Sequence, residues 1–165
     1  MNDRTGDPAR APFRGSFPRE AVETLSGLEQ LREMIAGRLP PPPIAHVLNF
    51  RLVEVEEGRA VFKGVPKLDF YNPLGSVHGG WPATLLDSAL GCAVHSTIAA
   101  RDAYTTLEFK VNIVRAIYEE TGEVTAEGRL LYRGRRTATA DATLKDAAGK
   151  LYAHANTTCL IFPAE

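Results

Sequence analysis

The chain has 165 residues, 44% hydrophobic and 24% charged, which fits one globular domain whose core needs no disulfide or metal staple. Nineteen basic residues stand against twenty acidic ones, a net charge of −1, with no long Lys/Arg run. That balance excludes a global field for gathering nucleic acid or an anionic membrane, so an acidic ligand must be met by a local cluster.

Residues 1–18 carry three prolines, several charges and no apolar core, which reads as a mobile tail and not as a signal peptide. From Arg19 to Gly37, Val22, Leu25, Leu28, Leu31, Met34 and Ile35 recur at steps of three and four. The spacing predicts one amphipathic helix, stopped by Gly37 and by a stiff Pro40–Pro43 connector. Residues 1–43 are thus an N-terminal tail, helix and linker, and residues 44–165 the main domain. Phe50–Val55 and Ala60–Val65 read as strands around a turn at Glu57-Gly58.

Gly79–Ala100 is the one long apolar stretch, but it carries Pro82, Asp87 and His95, which a membrane span seldom tolerates. It reads as a buried helix in a cytoplasmic protein. The period then switches to two. Leu107, Phe109, Val111 and Ile113 alternate with polar neighbours, as do Val124–Tyr132, Ala138–Leu144 and Leu151–Phe162. Links at Thr121-Gly122, Gly134 and Ala148-Gly149 predict a four-strand antiparallel meander. The fold class is α+β, with about six strands around one long helix. Ala138, Ala140, Ala142, Ala153 and Ala155 would let the sheet curl closely round it.

Asp87 is the only Asp, Glu, Lys or Arg between Gly79 and Ala100. A carboxylate in the middle of a buried helix is costly unless hydrogen-bonded, paired or used, and it lies beyond the reach of the helix dipole. It is either a structural carboxylate or a catalytic one at a pocket wall. Ahead of the helix stands Gly75-Ser76-Val77-His78-Gly79-Gly80, where free N–H groups at a helix N-terminus suit a developing oxyanion. Asp87 stands nine positions after His78, about two and a half turns or roughly 13 Å along a helix axis. Both groups cannot serve one carbonyl within a single helix. A second, antiparallel copy would bring them together, so the spacing hints at a composite dimer site.

The segments Asn72-Pro73-Leu74-Gly75-Ser76-Val77-His78-Gly79-Gly80 and Leu86-Asp87-Ser88-Ala89-Leu90-Gly91 resemble the hotdog-fold acyl-CoA thioesterases, of the phenylacetyl-CoA and hydroxybenzoyl-CoA types. Thr105–Asn112 and Gly134–Ala138 match the family's strand patterns, and the resemblance spans about residues 46–162. It implies hydrolysis of an acyl-CoA to free acid and CoA, with the Gly79 N–H polarising the carbonyl. Asp87 of the partner subunit would be nucleophile or general base. Asn72 and His78 would orient thioester, water or loop, and Ser88 matches a hydroxyl beside the acid. Gly80, Thr105 and Thr106 are further substrate-binding candidates. Two positions depart from the pattern: Gly91, where relatives with Glu as the acid often carry Ser or Thr, and Arg115-Ala116, where many have Arg-Pro.

Arg129, Arg133, Arg135 and Arg136 cluster at one strand link, as a solvated hairpin tip or, for Arg133, Arg135 and Arg136, as partners for the phosphates of coenzyme A. Cys92 and Cys159 read as buried free thiols. The four histidines are scattered, so no metal is expected, and no cofactor beyond coenzyme A as part of the substrate. Expected partners are an acyl-CoA and further copies of the chain, as a homodimer or a homotetramer built as a dimer of dimers, with no nucleic acid and no membrane. The alternatives are a non-catalytic acyl-CoA-binding module and a hotdog hydratase or dehydratase.

Overall fold

A computed structural model describes residues 15–164. Most of the expected tail therefore lies outside the described residues. Its last part is fastened to the body: the Gly15 N–H donates to the Pro41 carbonyl at 3.1 Å, and the Phe17 ring lies 6.2 Å from that of His95.

The single N-terminal helix predicted over 19–37 is in fact two, α1 (Arg19–Thr24) and α2 (Gly27–Ile35). The break is chemical. Ser26 caps α2 by accepting from the Glu29 N–H, and the Glu29 carboxylate accepts from the Ser26 N–H at 2.8 Å, a reciprocal box that starts a new helix. The proline connector also ends sooner than expected. Pro43 opens α3 (Pro43–Val47), where a missing N–H costs nothing.

The body follows as β1 (Phe50–Glu56), β2 (Arg59–Gly64), α4 (Gly80–His95), β3 (Asp102–Ile113), β4 (Val124–Arg133), β5 (Thr137–Asp146) and β6 (Leu151–Pro163). One antiparallel sheet has the order β1-β2-β4-β5-β6-β3. It wraps α4, whose Leu85, Leu86, Leu90 and Val94 are fully buried, each side chain worth about 1.5–3 kcal/mol of burial. The five alanines predicted to line the inner face are all buried there.

The meander needs one correction. Only β4, β5 and β6 run as consecutive hairpins; β3 pairs with β6, from Asp102↔Pro163 to Ile113↔Ala153, and forms the sheet's far edge. Thr121-Gly122 therefore ends a crossover and not a hairpin. The crossover is tied down where β3 ends, because the N–H groups of Val114 and Arg115 both donate to the Tyr152 carbonyl, at 2.8 and 3.2 Å. Its Ile117 is buried, and the Ile117 carbonyl accepts from the Val77 N–H at 2.9 Å, which fixes the loop ahead of α4.

No helix among the described residues is long and apolar enough to cross a membrane.

Candidate active site

Helix α4 is less uniformly apolar than its sequence implies. Thr84, Asp87, Ser88, Cys92 and His95 recur at three- and four-residue steps and form one half-buried stripe. Cys92, expected in the core, lies on this stripe, while Cys159 is buried; both are free thiols. From Asp87 to His95 the stripe is one wall of an open pocket of about 420 Å³ that also takes in Tyr104 and Thr106 of β3.

Asp87 sits in that pocket with a single side-chain hydrogen bond among the described residues, accepted at 3.2 Å from the Thr106 hydroxyl. Burial pushes its carboxyl above the ordinary Asp range, and the Thr106 bond pulls it partly back. Ser88 lines the same pocket but donates its hydroxyl hydrogen to the Thr84 carbonyl at 2.8 Å, leaving only its lone pairs for a ligand. The Tyr104 hydroxyl fills the place a side chain at Gly91 would take: a Cβ there would lie 2.5 Å from it. A hydroxyl one turn beyond the carboxylate is thus presented by the sheet instead of the helix. Thr105 does not join this group, since neighbouring strand residues point to opposite faces. The Cys92 thiol is pushed by burial up to about 12, which rules out a thiolate nucleophile at neutral pH.

His95 closes the far end of the stripe. The Gln30 amide nitrogen donates to the Leu25 carbonyl, so its oxygen accepts from His95 Nε2–H at 3.1 Å. Burial lowers the His95 pKa from its ordinary value to about 4. The unfolded chain takes up this proton near pH 6.5 and the folded chain resists it until about pH 4. Stability should therefore fall as pH drops through that window, by up to about 3 kcal/mol. Urea midpoints at pH 7 and pH 4.5 check this, and His95→Gln should flatten the difference.

The second candidate group lies at the other end of α4. Gly79 caps the helix, and its N–H has no acceptor among the described residues. The Gly80 N–H, expected to face substrate, is already spent: it donates to His78 Nδ1 at 2.9 Å, and the His78 side chain is otherwise exposed. Asn72 is likewise committed to its own loop. Its amide donates to Ser76 Oγ at 3.0 Å and its Oδ1 accepts from the Leu74 N–H at 2.9 Å. Within one chain Asp87 and Gly79 are held about 12 Å apart along the helix. Ile113 of β3 reaches Gly79, where a Cβ would lie 2.9 Å from its Cδ1.

The arginine cluster divides. Arg129 pairs with Glu127, and Arg133 folds back to donate to the Gly134 carbonyl. Arg135 and Arg136 are exposed at the β4–β5 turn and make no ion pair among the described residues. No group of three or more His, Cys, Asp or Glu among the described residues is arranged to hold a metal ion.

Comparison with known proteins agrees with this architecture. Residues 74–153 match the family model of the thioesterase superfamily. A candidate esterase of Saccharolobus solfataricus is 33% identical over 108 residues, 66% of this chain and 75% of that protein. The crystal structure of a candidate thioesterase from Ralstonia eutropha, a phenylacetic acid degradation-related protein, superposes with a TM-score of 0.73 at 28% identity, covering 79% of this chain and 98% of the other. The PaaI protein of the Escherichia coli phenylacetic acid degradation operon shares the fold, with a TM-score of 0.72 at 19% identity over 84% of this chain and 94% of its own. The chain belongs to the thioesterase superfamily, as a thioester hydrolase of the hotdog fold.

Proposed function

We propose that the thioester hydrolysed is an acyl-CoA, that Asp87 is the catalytic carboxylate, and that each active site is shared between two subunits. The observation that carries this reading is Asp87 itself: a half-buried carboxylate with one side-chain hydrogen bond among the described residues, in a pocket of otherwise neutral and apolar groups. The Gly79 N–H, at the positive end of α4, would donate to the developing oxyanion. Asp87 of the partner subunit would either take a proton from the attacking water or attack the carbonyl carbon directly. In the first case the C–S bond breaks as the water oxygen bonds to the carbonyl carbon, and the leaving thiolate takes up the proton that Asp87 accepted. In the second the C–S bond breaks to leave a mixed anhydride on Asp87, which water hydrolyses to the free acid while the thiolate is protonated from that water. Thr106 orients the carboxylate, and the Tyr104 and Ser88 oxygens, which line the same pocket, would position the attacking water. His78 and Asn72 act on the loop that carries Gly79.

The shared site is supported by the edge strand. Phe109 and Ile113 pair with Thr157 and Ala153, which are buried on the helix side, yet Phe109 and Ile113 stay 40% and 48% exposed. An apolar strip beside Gly79, on a strand with a free edge, fits a second copy of this chain. The assembly is then a homodimer, or a homotetramer formed from two such dimers.

Steady-state release of free thiol from acyl-CoA tests the function. Sustained turnover is expected; binding without turnover would make the protein a non-catalytic acyl-CoA module. For the coenzyme, Arg135 and Arg136 are the cations at the β4–β5 turn that make no ion pair among the described residues. Replacing both with Ala should raise KM about tenfold or more with much less change in kcat, since charge-assisted bonds to phosphate are lost. The effect should vanish for an acyl thioester that lacks the nucleotide. Equal effects on both substrates would remove the phosphate role.

A further inference from the structure

The N-terminal segment is not a mere appendage to the domain. Helix α2 docks directly on the end of α4: the Gly27 N–H donates to the Ile98 carbonyl at 3.0 Å, and a Cβ at Gly27 would lie 1.8 Å from the His95 carbonyl oxygen. Only glycine permits that approach. One turn on, Gln30 is 1% exposed and holds His95; the next residue, Leu31, is 2% exposed, and Met34 follows on the same face. The return of the segment is closed by the Gly15 to Pro41 hydrogen bond.

Phe17, Leu31, Met34, Pro40 and Pro42 thus form an apolar wall facing Asp87, Ser88, Cys92 and His95 across the pocket. The pocket runs from Asp87 to His95, eight residues or about 12 Å along α4, and its far end meets the Phe17–His95–Tyr104 aromatic cluster. Its volume of about 420 Å³ lies within the range of small-ligand sites.

We propose that this pocket is the acyl subsite and that the N-terminal segment sets the length of the acyl group it admits. The ligand is an apolar acyl chain that enters past Asp87 and ends at His95. The proposal rests on the thioesterase reading above. The half-buried Met34 is the probe, because it lines the wall without carrying the α2–α4 joint.

Met34→Ala should open the wall and Met34→Trp should fill it, and kcat/KM is measured for hexanoyl-CoA and dodecanoyl-CoA. The dodecanoyl-to-hexanoyl ratio should rise about tenfold in the first and fall about tenfold in the second, the scale expected when a few methylenes gain or lose apolar contact. Ratios within twofold of wild type in both variants, with wild-type turnover intact, would overturn the wall alone. Absence of thiol release by wild type from any acyl-CoA would instead overturn the thioesterase reading, and this proposal with it.

Discussion

Asp87→Asn is expected to lower kcat by at least about 10²-fold, and up to about 10⁴-fold, with KM little changed. The substitution keeps the size of the side chain and its ability to accept from Thr106, but removes the charge and with it the basicity and nucleophilicity. An interaction that matters only as the transition state forms is lost from kcat and not from ground-state binding. A purely structural carboxylate predicts the reverse: kcat within about threefold of wild type in a folded, oligomeric protein. That outcome would end the assignment.

The same residue fixes the expected signs with pH. Burial raises the Asp87 pKa, so the folded chain holds this proton more readily than the unfolded chain does. Ionised Asp87 therefore costs stability at neutral pH, and the cost disappears as pH falls through the folded pKa. Asp87→Asn should raise Tm at neutral pH while lowering kcat as above. On the kinetic side, kcat/KM should decline on the acid limb with an apparent pKa above the ordinary Asp value, because only the ionised carboxylate accepts a proton. A stabilised and inactive variant is the combination expected of a group kept for its chemistry.

The reach of the sequence stops at identifiable points. Asp87 stands out as the lone charge in an apolar stretch, and burial costs make such a residue legible wherever it occurs. The helix-wrapping sheet was legible too, because the alternation of Ala138, Ala140 and Ala142 specifies a face. A face does not specify a neighbour: nothing in the period of β3 says that it pairs with β6 and not with β4. Register is hidden in the same way. The extra residue at Leu107 shifts the pairing between Thr106 and Glu108, so the apolar positions after it are displaced relative to those before. Local hydrogen bonds decided the fate of the Gly80 N–H and the Asn72 side chain, which are consumed by His78 and by the Asn72–Ser76 loop. The N-terminal wall escaped because it depends on α2 docking against α4. Its signals were present, in the Ser26-Gly27-Leu28-Glu29 capping box and in the stripe of Thr84, Asp87, Ser88, Cys92 and His95, but neither reveals its partner.

The composite site makes a prediction that two inactive proteins can test. Gly79→Pro removes the one N–H assigned to the oxyanion: Gly79 has φ −57°, within the range of proline, precedes the first hydrogen-bonded turn, and the added Cβ displaces only the Ile113 Cδ1 methyl at the far end of its side chain. Loss of one such donor is expected to cost about 10²–10³-fold in kcat. Asp87→Asn disables the other half. If Gly79 of one subunit works with Asp87 of its partner, a mixed dimer of the two variants contains one site with both wild-type groups and one with neither. Random reassociation of equal amounts makes about half of the dimers mixed, so about one quarter of wild-type activity should return. If both groups acted within one chain, every site in the mixture would carry one lesion and no activity would return. The spacing along α4 favours the first result. Gly79 and Asp87 are fixed at opposite ends of two helical turns, and no side-chain motion closes that gap within a single subunit.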